Sequence, residues 1–294
     1  MLHRQANNSQ YAFNRCSVLG SSGAMLKCCH TQLNPRNPTV LIALPFGVPA
    51  SIAHAAFEKF GREFNVVTWE TRYVLNLDEA FTGEEKLAPS EHVSDMIHIL
   101  ASLRIKTCFL IGYCSGAGIS LLAARQHPEI FTELILVNGE YQLFRKGHVS
   151  TNYQRSIDTF LPEVAVGRPN ARAIFAKMSE VSQASKAAEP SELELQINLP
   201  FSREEYLFRY AKNYMAYRDF DALTVASEIC GRTFVVTGRM DVHSSMENSG
   251  AVFECLRNAQ KFVDDEGDHY AFCRADSLTL AEIDAYLKML SSDE

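Results

Sequence analysis

Six short apolar runs, at 39–44, 64–69, 107–113, 134–137, 233–238 and 261–263, constrain the fold of this chain more than any other feature. They read as buried strands, and helix-length segments separate most of them. One such segment, Ala50 to Phe60, has helical periodicity and stops before Gly61. Another starts at Ser90, a residue able to cap it, and places Val93, Ile97, Ile99, Leu100 and Leu103 on one side. Strands separated in this way pair in parallel through right-handed crossovers, which predicts an α/β fold: a doubly wound, mostly parallel sheet covered on both faces. An opening hairpin is expected ahead of it, with one arm near Met25 to Gln32. Residues 141–228 break the alternation with helical patterns that carry Tyr206, Phe208, Tyr210, Tyr214, Tyr217 and Phe220. The domain reading is therefore a core of residues 1–140 and 229–294 with a helical insertion at 141–228.

The third run leads straight into Gly112-Tyr113-Cys114-Ser115-Gly116, then into a helix over Ala117 to Gln126. A sharp strand-to-helix turn of this kind strains its central residue and pushes that side chain outward, so the positions two before and two after must be small. Glycines flank Cys114 in that register, whereas Ser115 would be flanked by Tyr113 and Ala117. Cys114 is thus the candidate nucleophile, and Ser115 supplies a backbone N–H. Two later segments complete an order of nucleophile, acid, histidine. Asp241 follows the strand at 233–238, and His269 follows the last strand in Asp264-Asp265-Glu266-Gly267-Asp268-His269. Glu140, after Asn138-Gly139, competes with Asp241 for the role of acid, and His243 is a decoy for the base.

These three motifs, in this order, resemble the α/β-hydrolase superfamily over roughly residues 39 to 290. The resemblance implies a Cys114–Asp241–His269 triad and a helical cap at 141–228 that selects the acyl group. The loop Pro45-Phe46-Gly47-Val48-Pro49 is similar to the equivalent loop of thioesterases that serve polyketide and non-ribosomal peptide synthetases. That likeness implies an oxyanion hole from the N–H groups of Ser115 and Gly47, with a slip of one residue giving Phe46 instead. Phe46, Arg72 and Tyr113 are candidate substrate-binding residues. The Gly-Tyr-Cys elbow also looks like that of dienelactone hydrolases, which lack a long helical cap.

A cysteine nucleophile forms a thioester intermediate, which exchanges with thioester donors and is open to attack by amines or thiols. The leading expectation is a thioesterase or acyltransferase acting on carrier-protein or coenzyme A thioesters. The alternatives are a hydrolase of small esters or lactones and, in another class, a non-catalytic small-molecule receptor. The helix amino terminus and a neighbouring imidazolium would lower the thiol pKa of Cys114. Arg145, Lys146, Arg155, Arg168, Arg172 and Lys177 form a local basic surplus suited to an acyl carrier protein or a phosphopantetheine phosphate.

A net charge of −7 argues against general affinity for nucleic acid or anionic lipid. No run approaches the ~20 apolar residues of a membrane span, and the amino-terminal residues lack the apolar stretch of a signal peptide, so a cytoplasmic location is expected. The eight cysteines include no pair with zinc spacing, and Cys108 and Cys255 sit in apolar patterns as small hydrophobes. No metal site and no cofactor is expected, beyond a phosphopantetheine-linked acyl substrate.

Overall fold

The runs read as buried strands form the centre of one eight-stranded sheet in the computed structural model, which describes residues 13–144, 147–184 and 189–292. The strands are β1 (Asn14–Leu19), β2 (Met25–His30), β3 (Thr39–Ala43), β4 (Asn65–Trp69), β5 (Cys108–Tyr113), β6 (Phe131–Val137), β7 (Arg232–Gly238) and β8 (Ala259–Asp264). Their order across the sheet is β1-β2-β4-β3-β5-β6-β7-β8. From β4 to β8 all pairings are parallel, while the β1–β2 hairpin joins β4 antiparallel. The hairpin and the mostly parallel sheet agree with the sequence pattern.

Every residue of β3, β4 and β5 is buried, which requires apolar cover on both faces. Alternate side chains supply it. Val40 and Ile42 of β3 join a cluster with α1 (His54–Phe60), and Leu41 and Ala43 join the opposite one. That second cluster includes α2 (Pro89–Ser102) and α3 (Ser115–Gln126). Helix α2 begins one residue before Ser90, and Ser90 does not cap it. Pro89 occupies the first turn, where its fixed φ is pre-set for the helix and a missing N–H costs nothing.

Between β6 and β7 run α4 (Asn152–Val166), α5 (Arg168–Ala184), α6 (Glu192–Ile197), α7 (Glu204–Tyr217) and α8 (Ala222–Ala226). After β7 come α9 (Met246–Cys255) and, past β8, α10 (Leu278–Ser292). The α4–α8 helices do not pack their aromatics only on one another. Tyr217 of α7 meets Phe46 edge-on with ring centroids 5.4 Å apart, and Arg209 donates to the carbonyls of Tyr73, Asn76 and Glu79. Thr151 caps α4 and donates its hydroxyl to the His243 carbonyl at 3.0 Å, tying these helices to the loop after β7. No described helix is long and apolar enough to cross a membrane.

Candidate active site

Cys114 sits at φ 55°, ψ −123°, between the end of β5 and the start of α3. A non-glycine residue rarely adopts this backbone, and surrounding structure must hold it there. The flanking glycines make the turn feasible. A Cβ at Gly112 would lie 2.5 Å from Ser120 Oγ, and one at Gly116 would lie 2.2 Å from the Ala43 carbonyl oxygen. Ser115, by contrast, is buried, and its Oγ accepts a hydrogen bond from the Phe46 N–H at 3.1 Å. The apex of the turn is therefore the cysteine.

Asp241 and His269 lie side by side. The His269 Nδ1 lies 2.8 Å from Asp241 Oδ2, leaving Nε2 on the far edge of the ring. Asp241 also accepts hydrogen bonds from the His243 and Ser244 amides and from the Ser244 hydroxyl. Burial pushes its carboxyl up, but His269 and Ser244 outweigh that and hold it below the usual range. His243 stacks on His269 with ring centroids 4.9 Å apart, and its Nε2 lies 3.0 Å from the Tyr270 hydroxyl. Burial and the adjacent His269 depress His243 to about 4, so it is neutral near pH 7.

One residue that the motif reading passed over holds this loop in place. Asn138, at φ 44°, accepts from the Gly238 N–H at 2.8 Å and donates to the carbonyls of Asp268 and His269 at 3.1 Å. It joins the ends of β6 and β7 to the histidine loop. Its only sequence signal is a polar residue directly after an apolar strand.

The thiol and the imidazole open on the same cleft, but they are not hydrogen-bonded to each other. Cys114 Sγ donates to Glu140 Oε2 at 3.7 Å. This corrects the expectation of an activated thiolate. Burial, then the carboxylates of Glu140 and Asp241, push the Cys114 thiol well above its ordinary value, and the Ser115 amide at the helix start only partly offsets them. The resting form is the neutral thiol.

The other candidates divide. Tyr113 lines the cleft, but its hydroxyl donates to the His269 carbonyl at 2.9 Å and so positions the histidine loop. Phe46 lines the cleft and turns its amide toward the elbow. Gly47 has φ 75°, and a Cβ there would come within 2.7 Å of Pro200. Arg72 needs correction: it does not line the cleft. Its guanidinium is buried against Asp95, with Nε 2.7 Å from Oδ2, because helix α2 brings a carboxylate beneath it. Arg168 and Arg172 of the basic surplus are bonded to Glu205 and Glu204, and Arg155 to the Ser150 carbonyl and Asn152. Arg145 and Lys146 lie outside the described residues.

Among the described residues, Asp241, His243 and His269 bring metal-type donor atoms within 4.8 Å of one another. A cation there would compete with the Asp241–His269 hydrogen bond. The donor set therefore fits an imidazole–carboxylate pair better than a metal centre.

No family model matches the chain. It is 26% identical over 238 residues to an L-allo-isoleucyltransferase of Pseudomonas savastanoi pv. glycinea, covering 80% of this chain and 81% of that protein. It is also 26% identical over 99 residues to a strigolactone esterase of Arabidopsis thaliana, or 33% of this chain and 37% of that one. In structure it is similar to an enol-lactonase from Burkholderia xenovorans, with TM-score 0.68, 16% identity, and 95% and 98% of the two chains covered. A hydrolase from Pseudomonas aeruginosa gives TM-score 0.69 at 14% identity, covering 96% and 99%. The chain has the α/β-hydrolase fold. In this fold, elbow, acid and histidine stand at the carboxyl ends of β5, β7 and β8, where ligands gather in open α/β sheets.

Proposed function

We propose that this α/β-hydrolase transfers acyl groups through a thioester on Cys114, taking them from a carrier-protein or coenzyme A thioester. The observation that carries the reading is a cysteine at the strained apex of the elbow, opening on the same cleft as a histidine hydrogen-bonded to aspartate. The long match to an isoleucyltransferase supports transfer over simple hydrolysis.

In the first step the Cys114 S–H gives its proton to His269 Nε2 as the sulfur attacks the donor carbonyl. The C–S bond to the donor then breaks, and the imidazolium returns the proton to the departing thiolate. Asp241 occupies Nδ1, which leaves Nε2 as the nitrogen able to take the proton. The oxyanion forms next to the amides of Ser115 and Gly47, the Phe46 N–H being already bonded to Ser115 Oγ, and each such donor contributes roughly 3 to 4 kcal/mol in comparable sites. Because the thiol rests protonated, its proton leaves only as the carbonyl is engaged, which protects the free enzyme from adventitious alkylation. In the second step an amine, thiol or water takes the acyl group by the reverse sequence.

Intact mass spectrometry after incubation with acyl carrier protein thioesters, acyl coenzyme A and a panel of lactones tests the proposal. Persistent acylation by thioesters with slow hydrolysis is the expected result. Lactone turnover without thioester acylation would contradict it, and so would tight small-molecule binding with no adduct.

A further inference from the structure

A buried carboxyl with one unpaired oxygen stands beside the nucleophile. Glu140 is 7% exposed, and its Oε1 has no hydrogen-bond partner among the described residues. Its Oε2 accepts only the weak donor of the Cys114 thiol. The backbone of Glu140 is pinned on both sides: its N–H donates to the Cys114 carbonyl at 3.1 Å, and its carbonyl accepts the Tyr217 hydroxyl. The side chain is thus presented rigidly to the cleft. Leaving a buried acceptor unpaired costs free energy, and burial pushes the carboxyl up to about 7.

The cleft has the character of a cation site. Among the described residues, no lysine or arginine lines it. Tyr153, Tyr210 and Phe201 line it, and aromatic rings favour an ammonium over an anion; Ile197 and Pro200 add apolar wall. In an α-aminoacyl thioester, only the carbonyl carbon and the α-carbon separate the sulfur from the nitrogen. A carboxyl already touching Sγ is therefore within reach of that nitrogen.

We infer that Glu140 receives the α-ammonium of the transferred group, so that the acyl substrate is an amino acid with a free amine and an apolar side chain. This rests on the acyl-transfer reading above and narrows its substrate class. On binding, the proton that Glu140 holds leaves to solvent and the resulting carboxylate pairs with the ammonium, so the sulfur meets a neutral pair rather than a bare carboxylate. Substrates with the amine absent or acylated lose that pairing.

The test compares acylation of Cys114 by the N-acetylcysteamine thioesters of leucine, N-acetylleucine and 4-methylpentanoic acid. Each rate is followed by intact mass and divided by the same thioester's rate with free glutathione, which removes intrinsic reactivity. The wild-type protein should prefer leucyl over both others by at least about thirtyfold. Glu140→Gln should bring the preference to within about threefold of unity. The wild-type series needs no variant to fold. Equal normalised rates in the wild type, or an undiminished preference in Glu140→Gln, would overturn the assignment of Glu140 while leaving acyl transfer standing. No adduct from any of the three would overturn both.

Discussion

Two buried carboxylates in this molecule are treated in opposite ways. Asp95, on the buried face of helix α2, has both oxygens taken by the Arg72 guanidinium, at 2.6 and 2.7 Å, and Glu91 adds a third contact to that cation. Glu140, at the mouth of the elbow, feels His269 and Arg218 only at a distance, is bonded to no cation among the described residues, and leaves one oxygen without a partner there. The difference separates structure from function. A charge whose compensation is built into the chain holds elements together, whereas one left uncompensated at a cleft marks where a ligand completes the site. Asp241 is saturated like Asp95, by His269, His243 and Ser244, but one of its partners is the histidine of the cleft, so its compensation positions a reacting group.

The comparison can be broken at several points. The largest effect is expected at Asp241, whose replacement by asparagine should lower the rate of Cys114 acylation by about 10⁴-fold, as loss of the tautomer-fixing acid does in a Ser-His-Asp site. A comparable loss in Glu140→Gln for every thioester alike, with Asp241→Asn mild, would make Glu140 the acid of the triad. Next, Asp95→Ala strands the Arg72 charge in the core and should cost about 3–5 kcal/mol in urea unfolding. A small effect there would mean that the pair is not the structural kind.

The third prediction concerns pH. Glu140 has a folded value of about 7 against 4.5 for the ordinary carboxyl, so the folded state holds the proton more tightly. Its contribution to stability is complete below 4.5 and is lost as pH rises through 7. Glu140→Gln should therefore match the wild type at pH 4 and exceed it at pH 8, by about 3 kcal/mol at most. A pH-independent difference between the two unfolding curves would show that the carboxyl is not held protonated. The smallest effect is expected where both charges go at once. Arg72→Met with Asp95→Leu should change stability by about 1 kcal/mol or less, because the pair's attraction and its desolvation nearly cancel.

The sheet was legible because β3 to β7 are buried on both faces, and continuous apolar runs admit few other readings. The elbow was legible because steric demand at Gly112 and Gly116 is written in residue size. What escaped was whatever depends on long-range pairing. Arg72 at a strand end suits an anion-binding role until α2 brings Asp95 against it from 23 residues away. The thiol's protonation depends on burial and on Glu140, neither of which shows in the spacing around Cys114. Glu140 itself looked like a rival to Asp241, since chain order cannot tell which carboxylate meets the imidazole and which meets the sulfur.

The central claim is that Cys114 carries the acyl group, and peptide mapping of the protein after brief exposure to an aminoacyl thioester tests it most directly. The account predicts one acyl mass on the peptide containing Cys114, removed by neutral hydroxylamine and absent from Cys114→Ala. An adduct that survives in Cys114→Ala, or one mapped to Ser115, would contradict it.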